Sequence, residues 1–243
     1  MGLHGSSGPG LGPPVDAAAA RRATWILRIA GAVMLGFTAV ALATFPAAPA
    51  RRNLPGIQSP IIGFELARTP EHVADILGDP GTPQREEYAA RMDSGNQGDF
   101  LFMLAYAAFH AAIALRLAAL GRLGRGLLIV LLALAADMVI FDGLENLELL
   151  FLSKAAPSPE MEASLARLHV FTLLKWYAIF GSAALVAPFL WREPDWLRWS
   201  AMLFGLAALF GFIGIVHPPG IEWGAYVIAL AWLMTWIHAL RRA

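Results

Sequence analysis

Six apolar stretches, at roughly 24–46, 99–120, 126–152, 168–191, 198–216 and 221–240, decide what this chain can fold into. A helix needs about 20 apolar residues to cross the hydrocarbon of a bilayer, within a range of about 17–25, and every stretch reaches that length. Backbone N–H and C=O groups in lipid have no water to bond, so each stretch is expected to be helical. The expected fold is all-α: a six-helix transmembrane bundle, one integral membrane domain over 21–243, with the lipid bilayer as its first partner. Residues 1–20, rich in Gly, Pro, Ser and Ala without an apolar face, are expected to form a disordered N-terminal tail.

Composition excludes several function classes. Only 15% of the residues are charged, against about 25% in an ordinary soluble domain. The formal net charge is zero and no basic run exceeds two residues, so no nucleic-acid partner is expected. The chain has no cysteine, which removes disulfides, thiolate chemistry and zinc–sulfur sites. Lys154 and Lys175 are its only lysines. That arginine bias, with heavy Ala, Leu, Gly and Pro usage, fits a GC-rich bacterial genome.

The arginines orient the bundle. With the N-terminus in the cytoplasm, Arg21, Arg22, Arg116, Arg122, Arg125, Arg192, Arg198, Arg241 and Arg242 all fall inside, and the short outer loops hold only Lys154 and Arg167. This is the positive-inside asymmetry, and it predicts both termini cytoplasmic in a bacterial inner (plasma) membrane. Trp191, Trp196 and Trp199 mark one interface and Trp223 the other. A cleaved signal peptide is the alternative for the first stretch, but Ile29–Phe45 exceeds the 7–15 apolar residues such segments use.

The segment 47–98, between the first two spans, is too long for a plain connection. Thr69-Pro70-Glu71 and Thr82-Pro83 each place a capping hydroxyl ahead of a proline at the first helical position. The first of these helices should present Val73, Ile76 and Leu77 on one face. The segment is expected to form a small helical cap outside the membrane, too short to build a core of its own.

Residues 137–150, DMVIFDGLENLELL, then pose a problem of depth. The apolar run before them, Leu127 to Phe141, is about fifteen residues, short of the ~17 minimum, so part of the acidic run must lie within the hydrocarbon. At 100° per residue Asp142, Glu145 and Asn146 share a helix face. Asp99, Met103, Tyr106 and His110 form a stripe on the second span, and Thr172, Lys175, Ile179 and Ser182 one on the fourth. The topology puts Asp99, Asp142, Glu145, Lys175 and Glu222 in the outer half of the membrane. An isolated charge at mid-bilayer costs at least about 2.5–3.5 kcal/mol, so Lys175 should meet Asp142 or Glu145 unless it snorkels to the headgroups. Three acids against one lysine leave negative charge over. A protonated carboxyl, a hard oxygen-seeking cation or a basic ligand would balance it.

The order GFELARTPEHVADILG, GDFLFMLAY, FDGLENLELL, LLKWYAIFG over about 60–182 resembles a recurrent, uncharacterised family of bacterial polytopic inner-membrane proteins. The resemblance implies a shared architecture; it implies no chemistry and transfers no site residue.

The residues point first to a polar, carboxylate-rich site for a small-molecule or lipid-like ligand or a cation. It would be built from Asp99, Tyr106, Asp142, Glu145, Asn146, Thr172 and Lys175, with no cofactor required. A membrane-embedded enzyme is the second alternative, with Asp142 or Glu145 as general base and Lys175 stabilising negative charge on a lipid-linked substrate. A structural subunit held together by the same acids is the third.

Overall fold

A computed structural model describes residues 17–192 and 197–241, which form eight α-helices and no strand. They are α1 (Ala17–Thr44), α2 (Pro60–Glu65), α3 (Pro70–Leu77), α4 (Pro83–Ala119), α5 (Arg125–Leu152), α6 (Pro159–Trp191), α7 (Leu197–Ile213) and α8 (Pro219–Arg241). Five of these, α1, α4, α5, α6 and α8, are long and apolar enough to cross a membrane. The sixth apolar helix, α7, has 17 residues and stands at the lower edge of the spanning range. Residues 1–16, Trp196 and Arg242 lie outside the described residues, while Ala17–Ala20, expected in the tail, already belong to α1.

The start signals work as their chemistry requires. Thr69 Oγ1 accepts from His72 N and Thr82 Oγ1 from Arg85 N, each ahead of a proline that has no N–H to lose. The helix begun at Thr82 does not stop in the cap, however. It runs unbroken for 37 residues through the second apolar stretch, about 55 Å at 1.5 Å per residue, well beyond a hydrocarbon core of about 30 Å. Nothing between Met92 and Asp99 interrupts it: Met92, Asp93, Gly95 and Asn96 are buried there, and Gly95 packs against the Phe45 ring, so packing offsets the weak helix propensity of its polar residues and glycines. Two further Ser-Pro starts were not anticipated. Ser158 caps α6, nine residues before the apolar stretch begins, and Ser59 caps the six-residue α2.

The six long helices close into a ring, α1–α4–α5–α6–α7–α8, in which the seam between α8 and α1 is the slightest. Its interior is a continuous apolar core that includes Met34, Phe109, Met138, Phe180 and Phe204. The cap shares a second core with the ring: Phe64, Val73, Ile76 and Leu77 pack on Leu149, Leu152, Met161 and Leu165 from the ends of α5 and α6. Val73, Ile76 and Leu77 are thus the buried face of α3.

Two buried charges anchor the cap. Arg85 donates to Gly78 O at 2.9 Å, and its other terminal nitrogen lies 3.3–3.4 Å from the carbonyls of Leu152, Ser153 and Ala155, at the negative end of α5. Glu222, on the first turn of α8, accepts from Ser59 N at 2.6 Å, Gln58 N at 3.0 Å and the Tyr226 hydroxyl at 3.0 Å. Its carboxylate fixes the loop that enters α2, and so fixes where Glu65 points.

The α1–α8 seam is held at one end. Arg28 Nε donates to Ala239 O at 2.8 Å, Trp236 Nε1 donates to Arg28 O at 3.0 Å, and the indole lies over Gly31, where a Cβ would collide with it. Five residues further along α1, a Cβ at Gly36 would meet nothing within 4 Å. Gly31→Val should therefore lower thermal stability in detergent by about 1–3 kcal/mol through overpacking, and Gly36→Val should not. Equal melting temperatures for the two variants would refute this account of the seam.

Candidate functional site

The site starts from α2. Ser59, held by Glu222, opens a helix whose Phe64 enters the cap core and whose Ile62 joins a smaller cluster with Ile57, Leu66 and Ile221, and the helix ends at Glu65. Thr172 Oγ1, on α6, donates to the Glu65 carbonyl at 3.0 Å and Trp176 Nε1 donates to its carboxylate at 3.1 Å. Glu65 is thereby turned into the bundle, 7% exposed.

There it meets Lys175. The Lys175 ammonium, 4% exposed, lies 2.9 and 2.8 Å from the two Glu145 oxygens, 3.2 Å from Glu65 Oε2 and 3.3 Å from Asp142 Oδ1. It also stands 5.0 Å from the centre of the Trp176 ring. Three N–H donors thus face four carboxylate oxygens from α2 and α5. Asp142 Oδ2 accepts from the Tyr106 hydroxyl of α4 at 2.5 Å, and Asn146 Nδ2 donates to Asp99 Oδ2 at 2.7 Å.

The sequence-derived residues therefore fall into distinct positions. Asp142, Glu145 and Lys175 are in direct ionic contact, Tyr106 bonds Asp142, and Asp99 joins the group through Asn146. Thr172 touches none of the acids' side chains and holds the α2 backbone instead. Lys175 does not snorkel. Glu222 belongs to the cap anchor, away from the lysine. Among the described residues no group of three His, Asp or Glu side chains is arranged to hold a metal ion, and the Lys175 ammonium fills the space between the carboxylates.

Sequence reasoning missed Glu65. The usable signal was Ser59-Pro60 followed by the apolar IIGF, a third helix start in the segment whose other two are Thr69-Pro70 and Thr82-Pro83. It also missed Asn96, which shares the Asp99 face of α4; it is fully buried, and neither atom of its amide finds a hydrogen-bond partner. His110, in the Tyr106 stripe, joins a separate polar knot. Its Nε2 accepts from Trp232 Nε1 at 3.0 Å, which leaves Nδ1 to carry the proton toward Ser182 Oγ at 2.9 Å, a neutral imidazole. The Trp232 ring in turn stacks on Tyr106, 5.9 Å between centres.

Beside the lysine lies a cavity of about 160 Å³, walled by Glu65, Asp99, Asp142 and Lys175 and by the rings of Phe102, Tyr106, Trp176 and Trp232. A cavity of about 150 Å³ is known to admit a benzene-sized group, so there is room for more than water. A second, wider cleft of about 440 Å³ adjoins it, sharing Thr38, Glu65, Asp99, Phe102, Trp176 and Ala225.

Breaking a buried ion pair by removing one partner costs about 3–5 kcal/mol, because the other charge is left unpaired. Lys175→Met should lose about that much in thermal unfolding, having stranded carboxyls on α2 and α5. Adding Glu145→Gln should recover only part of the loss, since Glu65 and Asp142 still face the vacated position. Full recovery in the double variant would reduce the network to a simple Lys175–Glu145 pair. No protein-family model, curated protein or solved structure matches this chain, so its function rests on the geometry of this site.

Proposed function

We propose that this chain is a multi-pass protein of a bacterial plasma membrane whose carboxylate-lined cavity binds a small organic cation. In this reading α7 is a sixth span, both termini are cytoplasmic, and α2, α3 and the start of α4 form an extracytoplasmic cap. The site then lies in the outer half of the membrane. The arginine distribution supports that orientation, as do five helices of spanning length and composition.

One observation carries the ligand class. Four carboxyls, of Glu65, Asp99, Asp142 and Glu145, surround a single ammonium, and three of the four line the cavity. A buried excess of acids attracts positive charge strongly where water cannot screen it. The remaining wall is aromatic, and ring faces add attraction for an ammonium group. Together they select a monovalent head with an apolar body over an anion, a neutral polar solute or a strongly hydrated ion. The enzyme alternative gains nothing from the same contacts. Both oxygens of Glu145 are held by Lys175 and it does not line the cavity, so it is not poised as a base, while Asp142 is shared between Tyr106 and Lys175.

Protein in nanodiscs of neutral lipid can be titrated with choline while the fluorescence of Trp176 and Trp232 is followed. Saturable binding is expected, with a response to the neutral isostere 3,3-dimethylbutanol at least about tenfold weaker. Asp99→Asn keeps an amide partner for Asn146 while removing one charge, and should weaken choline binding by about tenfold. Equal responses to the cation and its isostere, or none to either, would refute the proposal and leave the acids a purely structural role.

A further inference from the structure

We infer that the cation enters sideways, from the lipid, through an opening between α1 and α8, and that it carries an apolar tail which stays in that opening. This rests on the cation-binding reading above and assigns the ligand's class: a single-chain amphiphile with an ammonium head.

The seam itself gives the first reason. Along α1 the buried positions are Ala23, Leu27, Gly31 and Met34, one stripe at helical spacing. The stripe continues geometrically through Thr38 and Ala41, but there the residues are only half-buried. Arg28, Trp236 and Ala239 clasp α1 to α8 at one end, and further along α1 Thr38, Ala41 and Leu42 line the wider cleft together with Ala225 and Tyr226 of α8.

The gradient along the cleft gives the second. Its deep end is the acidic cavity, where Asp142 is 2% exposed and its Oδ1 accepts no hydrogen bond, with only the ammonium of Lys175 at 3.3 Å. Its lips are Leu42, 80% exposed, and Tyr226, 56% exposed. Between them the wall is mostly apolar, with Ala41, Phe45, Ile61 and Ala225 beside the hydroxyl of Thr38. An apolar passage leading from an exposed hydrophobic rim to buried carboxylates suits a molecule that is charged at one end only. A compact, fully hydrated ion would gain nothing from the passage. An anionic or phosphate-bearing lipid would bring its negative charge against Glu65 and Asp99. On the cap side the cleft is lined by Ser59 and Pro60, and Glu222 holds Ser59 there by accepting from its backbone N–H.

The chain has no cysteine, so a single introduced thiol can be labelled cleanly. Protein in neutral nanodiscs carrying bimane at Leu42→Cys is mixed with dodecyltrimethylammonium bearing a nitroxide at mid-chain. Leu206→Cys, on a partly exposed surface of α7, serves as the lipid-facing reference. Quenching at Leu42 should exceed that at Leu206 severalfold, saturate, and fall to the reference level when choline is added. Tyr226→Cys, on the opposite lip, should respond as Leu42 does, and covers the case in which the first label disturbs the fold. Equal quenching at lips and reference, or quenching that choline does not relieve, would overturn the lateral entry. Choline binding without enhanced quenching at the lips would refute the lateral entry and the tail and leave the cation site standing; loss of choline binding as well would refute the cation site beneath it.

Discussion

Lys175 presents one ammonium to carboxylates from α2 and α5, and it does so 4% exposed, with Tyr106 of α4 tied to one of those carboxylates. Ions removed from water are costly unless they are matched closely, and that cost turns an ionic contact into an architectural constraint. α6 cannot rotate without pulling Lys175 off Glu145. α2 cannot leave without stranding Glu65. The cap is therefore not an appendage resting on a finished bundle, since one wall of the central network comes from it. Glu222 extends the same logic by gripping the backbone amides that start α2.

What remains after the lysine is satisfied gives the site its character. Four carboxyls share one cation, and the cavity beside them is finished with the rings of Phe102, Tyr106, Trp176 and Trp232 instead of a second cation. Structural networks in membranes tend to close on themselves, because unpaired polar groups have no water to fall back on. Here Asp142 Oδ1 has the Lys175 ammonium at 3.3 Å, and further along α4 neither amide atom of the buried Asn96 finds a partner. The ring of helices is also thinnest at the α8–α1 seam, and the wider cleft beside the cavity is lined from both of those helices. The surplus of carboxyls and the thin seam, both beside the cavity, are the reasons to assign binding over bracing.

Much of this was legible in the sequence because length and cost are severe constraints. The apolar run ahead of FDGLENLELL is too short to span, and that deficit alone forces Asp142, Glu145 and Asn146 inward, where spacing puts them on one face. Charge cost then supplies Lys175 as their partner. The cap was legible only in pieces. Thr69-Pro70 and Thr82-Pro83 announce helix starts, but a start signal carries no information about where the helix ends, and α4 runs from the cap through the whole bundle. Glu65 was hidden for a different reason. A carboxylate in a polar-looking connection reads as solvated, and only tertiary placement, through Thr172, Trp176 and Glu222, turns it inward. The seam between α1 and α8 joins the two ends of the chain, so no local pattern encodes it.

The most direct test of the cation site is a density map of the protein in nanodiscs saturated with choline, compared with one prepared without it. The expected result is added density in the cavity between Asp99, Asp142 and the Trp176 ring, with Lys175 still against Glu145. Identical maps, or added density only on the outer lipid-facing surfaces, would contradict it.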